Sequence, residues 1–370
     1  MPKSAQHVLI GSTEAHSGKS AIVLAIAFQL LAQGIKVAYG KPLATVETSD
    51  PHDALNCADT DLNFIPKVLS LPTAACLPTL LCLDETAMLS QLQAGETADF
   101  AQILGQYSEA VTENVVLLEG PANLEQGALA KLALPDMANA LDAAVLLVMR
   151  FNPRQMVDEI MSAQQRLGER LMGVVINSIP EAEQSFVTEK VVPYLEGQNI
   201  AVLATLPQMP YLQGVRVSEL VHRLDAEILC CDDHLDLVVE SLKIGAMNVN
   251  SALRFFRKGI HQAVVTGGDR RDLQIAALET STHCLVLTGQ IAPSEDVITF
   301  AKDKEIPVLS VATDTLTTVE RIDTLFGQVP LNNLDKIPLV QEVLAKHVDV
   351  NRLIQLLAIE PPAVTEVAAS

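Results

Sequence analysis

GSTEAHSGKS, residues 11–20, decides how this chain is read. It follows the apolar run His7-Val8-Leu9-Ile10 and opens a helix-like stretch from Lys19 to Gly34. Gly18-Lys19-Ser20 ends the segment like a phosphate-binding loop. A turn between a strand and a helix suits an anion. The first N–H groups of a helix have no partners within it, and they carry the positive end of its dipole. The common spacing, G-x-x-x-x-G-K-[ST], calls for glycine at position 13. This chain has Thr13 there, and the nearest upstream glycine is Gly11. The candidate nucleotide-binding residues are Thr13, Glu14, His16, Ser17, Gly18, Lys19 and Ser20. In this context Lys19 reaches terminal phosphates and Ser20 contacts Mg2+. The plain alternative is an ordinary turn with a surface lysine.

Outward from the loop, the runs HVLIGS, KVAYGKP, VVLLEG, AAVLLVM, GVVINSI and AVLATLP alternate with helix-like stretches such as Arg154 to Gly168. Short apolar runs between amphipathic segments read as βαβ units on a parallel sheet. The expected fold class is α/β, a three-layer P-loop domain with a mostly parallel sheet. Its ligand site lies beyond the carboxyl ends of the strands. LATLPQMPYLQGVRV holds three chain-breaking residues and reads as a connection. A second series, AEILCC, AVVTGGD, HCLVLTG and PVLSVA, predicts a smaller α/β domain. The expected boundaries are 1–212, 213–335, and 336–370 for a C-terminal helix and loose tail. Hydrophobic residues make up 49% of the 370 residues, enough for two cores. Aromatics are 4% and Trp is absent, so those cores rest on Leu, Val, Ile and Ala.

The formal net charge of -20, with no basic tract, argues against nucleic acid and anionic membrane surfaces as partners. No run of about 18 apolar residues predicts a membrane span. The short polar N-terminus predicts a cytoplasmic protein. Cys57, Cys76, Cys82, Cys230, Cys231 and Cys284 show no C-x-x-C pattern and read as reduced, mostly buried thiols.

Three further strand ends point at the loop in this topology. Lys41 follows the second strand and suits negative charge on a substrate or phosphate. Glu119 ends the apolar run VVLLE, where a carboxylate suits Mg2+. Asn177, in GVVINSIP, carries an amide that can pair with both a donor and an acceptor on a purine edge. A solvated lysine and a turn-forming asparagine are the plain alternatives for the first and last.

On these residues the chain from 7 to about 210 resembles the dethiobiotin-synthetase-like P-loop group. The carriers are SGKS, YGKPLAT, LLEGP, INSIP and LATLPQMP. The stretch VVTGGDRRDLQIAALE, residues 264–279, is very like the signature of a DRTGG domain. Together these resemble the N-terminal half of long phosphotransacetylases, where such a nucleotide fold precedes a DRTGG domain. The resemblance implies ATP and Mg2+ as cofactors. Lys19 and Ser20 match its phosphate and Mg2+ residues, Lys41 its lysine near the carbamate, Glu119 its metal-binding glutamate, and Asn177 its adenine contact. A second metal carboxylate is implied after the second strand; Asp61, Asp50 and Asp53 all remain open.

Two departures bear on function. Ser12 stands where the group has its first loop glycine. Pro121 and Asn123 stand in a loop that is glycine-rich in the synthetases, removing a backbone donor and adding bulk. In the second domain, Gly267 and Gly268 allow close backbone approach or positive φ, and Asp269 can cap the next helix. Gly267, Gly268, Asp269 and Arg270 form a candidate regulatory site. The expectation is an ATP- and Mg2+-binding regulatory or adaptor ATPase that self-associates. The alternative is an ATP-dependent ligase of the dethiobiotin synthetase or cobyrinic acid amidase type. A scaffold that binds no nucleotide is a third reading. Acetyl transfer by this chain alone is not expected. A protein partner in acetate and acetyl-phosphate metabolism is expected from the domain company alone.

Overall fold

Val8, Leu9 and Ile10 are fully buried, and their strand β1 (Gln6–Gly11) lies at the centre of a seven-stranded sheet. A computed structural model of the chain describes residues 6–45, 59–93, 100, 103–105, 113–326 and 336–359. Two units result: Met1–Gln208 with Pro330–Ser370, and Met209–Val329.

In the first unit, β1 is joined by β2 (Val37–Gly40), β4 (Cys76–Leu77), β6 (Val115–Glu119), β7 (Ala144–Arg150), β8 (Leu171–Ile179) and β9 (Ala201–Pro207). Their order is β4-β2-β6-β1-β7-β8-β9, and every pair is parallel. β3 (Leu43–Thr45) and β5 (Leu81–Leu83) form a separate short pair. The sequence reading missed β3, β4 and β5, which have three residues or fewer and show no period. The strand order turns back at β1. That places the ends of β1, β2, β6 and β8 around one crevice, the usual ligand position in such sheets.

The first helix, α1 (Lys19–Ala32), is apolar almost all round, with Ile22, Val23, Leu24, Ile26 and Leu30 buried. A helix of that composition needs cover on more than one face. The sheet supplies one face. The C-terminal helices Ile337–His347 and Val350–Leu356 supply another. Arg352 clamps Glu196 with two bonds of 2.7 Å, and Asp349 N donates to Leu203 O at 2.9 Å. The chain thus returns to the first unit after the second is complete.

The second unit has its own sheet, β11-β16-β15-β14-β13, and a small pair, β10 (Val215–Arg216) with β12 (Val238–Val239). In the sheet, β13 (Ser241–Gly245), β14 (Gln262–Gly267), β15 (Thr282–Thr288) and β16 (Val308–Val311) run parallel. β11 (Glu227–Cys230) joins antiparallel at the edge. Ala263 and Val265 face one apolar cluster, and Val264 faces another. Both faces are therefore covered, which is why these runs are continuously apolar.

Among the described residues, Cys76, Cys230, Cys231 and Cys284 are free, but Cys82 is disulfide-bonded. That corrects the reading of all six as reduced thiols. Absence of a C-x-x-C pattern does not exclude a disulfide at Cys82. Cys57 lies outside the described residues.

Candidate functional site

The loop leaves β1 through Gly11, whose position has a packing cause. A Cβ there would stand 2.3 Å from Leu134 Cδ2 of the helix Leu134–Leu141, and one on Gly120 would stand 2.7 Å from Leu134 Cδ1. Both glycines make room for that leucine. Gly11 is therefore no displaced phosphate glycine.

Ser12 is fully buried and ties the loop together. Its Oγ lies 2.7 Å from Glu14 O and 2.9 Å from Ala122 O, and it accepts from Lys19 Nζ at 2.9 Å. Three neighbours fix the rest of the loop. Thr13 Oγ1 donates to Glu159 Oε2 at 2.8 Å, Arg150 Nη2 donates to His16 O at 3.2 Å, and Asn177 Nδ2 donates to Ser17 O at 2.8 Å. His16 and Gly18 have positive φ, 55° and 100°. A Cβ on Gly18 would meet Asn177 Nδ2 at 2.5 Å. Ser17 Oγ is buried without a hydrogen-bond partner, and Glu14 is exposed. A loop of this kind at a helix N-terminus is the setting in which backbone N–H groups hold phosphate.

Beside the loop, Ser20 Oγ lies 3.0 Å from Glu119 Oε1 and 3.1 Å from Asp61 Oδ2. Tyr39 Oη donates to Glu119 Oε2 at 3.2 Å. Lys41 Nζ stands 2.6 Å from Asp59 Oδ2, 3.2 Å from Asp61 Oδ2 and 3.6 Å from Glu119 Oε1. Asp59 Oδ1 also caps the helix α2 (Thr60–Val68) by accepting from Asp61 N at 3.1 Å. Burial lowers the Lys19 pKa, though Glu119 opposes the shift. Burial works against charge on Lys41 too, but Glu119, Asp61 and Asp59 outweigh it and hold the ammonium well above the usual lysine range. Glu119 shifts upward, against what its pairing with Lys41 alone would do. Burial is the larger effect, and Asp61 adds to it. Three carboxylates, Asp59, Asp61 and Glu119, share this site with two ammonium groups, Lys41 and Lys19, so the carboxylates outnumber the cations.

That donor set fits a hard divalent cation. It is all oxygen, and Asp61 Oδ1 is buried with no hydrogen-bond partner. No group of three or more His, Cys, Asp or Glu side chains is arranged for a metal among the described residues. A P-loop site needs only one or two carboxylates, because phosphates and water complete the shell.

The structure thus brings together Lys19, Ser20, Lys41, Asp61, Glu119 and Asn177. Asp50 and Asp53 lie outside the described residues. Four participants escaped the sequence reading: Ser12 as a ligand of Lys19, Asp59, Tyr39 and Arg150. Arg150 ends an apolar strand, the same signal that flagged Glu119. In the second unit, Gly268 allows a close approach, since a Cβ there would stand 2.0 Å from Ile291 O; neither Gly267 nor Gly268 has positive φ. The helix Arg271–Leu278 has Arg270 at its N-cap with no side-chain cap. Asp269 therefore does not cap it, contrary to expectation, because the helix starts one residue later.

The family model of an AAA domain matches residues 6–216, more than half of the chain. The chain belongs to the AAA domain family. A second model, the DRTGG domain, matches residues 219–325. Phosphate acetyltransferase of Nitratidesulfovibrio vulgaris is 26% identical over 374 residues, covering 94% of this chain and 51% of the relative. That of Deinococcus radiodurans is 27% identical over 353 residues, covering 90% and 48%. The chain spans about half the length of the curated relatives it matches. It corresponds to their N-terminal half, with the AAA and DRTGG domains in the expected order. The MinD cell division protein of Aquifex aeolicus is 16% identical, covers 56% of this chain and 84% of its own, and has a TM-score of 0.34. No helix among the described residues is long and apolar enough to cross a membrane.

Proposed function

We propose that the AAA domain binds ATP with Mg2+ and acts as a regulatory or adaptor ATPase, with the DRTGG domain as its sensing and association module. The observation that carries this reading is the meeting of Ser20, Asp61 and Glu119, each within 3.1 Å of another, beside the loop that holds Lys19. Lys19 and the loop N–H groups would hold the phosphates. Ser20, Asp61 and Glu119 would hold Mg2+, which when bound neutralises phosphate charge. Asn177 spends one amide hydrogen on Ser17 O, leaving a second for a purine edge. Pro121 and Asn123 in the loop after Glu119 disfavour substrate chemistry there. Self-association, and a protein partner in acetyl-phosphate metabolism, belong to this reading; relatives named phosphate acetyltransferase support the second. Calorimetry with ATP and Mg2+ tests it. Binding should be present in the native chain and absent in Lys19→Ala; no binding at about millimolar nucleotide, near -4 kcal/mol, sinks the reading.

One observation favours a second reading, an ATP-dependent ligase. A cavity of about 310 Å3 lies along the same loop, lined by Leu81, Leu83, Met88, Asn123 and Gln126. ADP release that rises with an added small acid or amine plus bicarbonate would favour the ligase.

A further inference from the structure

Two oxygens do double service. Asp61 Oδ2 and Glu119 Oε1 face Ser20 Oγ at 3.1 and 3.0 Å, and they also face the Lys41 ammonium at 3.2 and 3.6 Å. A Mg2+ ion requires its ligand oxygens at about 2.0–2.1 Å. An ion so close to these oxygens would stand only a few ångströms from Lys41 Nζ as it is now placed. Three positive charges at that separation repel strongly in a partly buried site.

The surroundings show which partner can yield. Tyr39 Oη holds the far oxygen of Glu119 at 3.2 Å, and Asp59 Oδ1 holds the backbone of Asp61 at 3.1 Å. Glu119 is thus held at its far oxygen, and the backbone that carries Asp61 is held too. Lys41 sits on a flexible four-carbon stem, and its shortest contact, 2.6 Å, is to Asp59 Oδ2, a carboxylate outside the pair that Ser20 touches. Asp61 Oδ1, buried and without a hydrogen-bond partner, is acceptor capacity held in reserve.

We propose that Lys41 is an internal cation that guards the carboxylate site: it pairs with Asp59, Asp61 and Glu119 in the nucleotide-free protein, and a divalent cation enters only when the ammonium swings out to pair with an anionic group of the incoming ligand. This rests on reading the site as one for ATP with Mg2+. It adds that cation and nucleotide enter together, and that the chain takes up little divalent cation alone. The lysine acts as a lock on the site in the absence of phosphate, beyond any contact it makes with a substrate.

Mn2+ binding to the full chain, followed by loss of the free-ion electron paramagnetic signal, tests the proposal without any activity measurement. In the absence of nucleotide the native chain should bind Mn2+ no tighter than about millimolar. Lys41→Met should bind at least about ten-fold tighter, the least expected from removing a like charge at this range. Lys41→Arg, which keeps the charge, should behave as the native chain. Equal affinity in Lys41→Met and the native chain overturns the proposal, as does an equal gain in Lys41→Arg. If circular dichroism shows Lys41→Met to be unfolded, Lys41→Gln replaces it. Tight Mn2+ binding by the native chain alone overturns the proposal whatever the variants do. A parallel calorimetric titration with ATP, corrected for the Mn2+ that ATP binds in solution, separates the two readings. Native protein that binds Mn2+ with ATP, beside a Lys41→Met that gains nothing, removes the guard and keeps the ATP site. Native protein that ignores ATP, beside a Lys41→Met that gains Mn2+, does the reverse.

Discussion

Replacing Gly18 with alanine should destabilise the AAA domain and remove nucleotide binding in one step. Gly18 sits at φ 100° and ψ 20°, a left-handed conformation that costs a residue with a Cβ about 1–2 kcal/mol. The added Cβ also stands 2.5 Å from Asn177 Nδ2. Asn177 must then move and give up its 2.8 Å bond to Ser17 O, a loss of about 1 kcal/mol net. The sum is roughly 2–3 kcal/mol. In a domain of this size that lowers Tm by about 4–12 °C. The chain has no Trp, so calorimetry is the suitable probe, with calorimetric titration for ATP. Asn177→Ala in the same protein removes the clash and leaves the backbone cost, so the double variant should lose less than the two single losses added. A Gly18→Ala protein that keeps its Tm within about 1 °C and still binds ATP would refute both the loop geometry and its assigned role.

Two further outcomes follow from the same geometry. Tyr39→Phe deletes the hydroxyl that donates to the buried Glu119 Oε2, at a cost of about 1–3 kcal/mol. It should raise the Mg2+ concentration needed for ATP binding, and an unchanged Mg2+ titration would remove Tyr39 from the site. In the DRTGG domain, His283 stacks on His261 with ring centroids 4.2 Å apart, and its Nδ1 lies 2.7 Å from Val238 O. Burial holds its pKa below the ordinary 6.5, so the folded state favours the neutral ring. That stability is present above pH 6.5 and is lost as pH falls through the lowered value. The thermal transition of this domain should weaken on acidification, and His283→Gln should flatten the dependence; an equally steep profile in the variant would exclude the pair as its source.

Much of the fold was legible because parallel sheets covered on both faces write themselves as short continuous apolar runs. β1, β2, β6, β7, β8 and β9 all lie where such runs stand. β13 was missed because Ser241, Leu242, Lys243, Ile244 and Gly245 alternate and carry a charge, as suits an edge strand. The site was legible where a charge ends an apolar strand, as at Glu119, or where a motif has a fixed spacing, as at Lys19 and Ser20. Asp61 could not be chosen over Asp50 and Asp53 from sequence, since no local pattern says which loop carboxylate reaches another strand's end.

By itself the sequence determined that Gly18-Lys19-Ser20 joins a buried strand to an apolar helix, and that two α/β layers follow in order. Those are local properties, written in hydrophobic period and in residues that tolerate few backbone shapes. Only the tertiary structure decided that Gly11 serves Leu134, that Ser12 takes Lys19, that the C-terminal helices cover α1, and that Lys41 stands among Asp59, Asp61 and Glu119. Each of these joins residues from different segments, and the chain's path through space, not its local pattern, sets which charges meet.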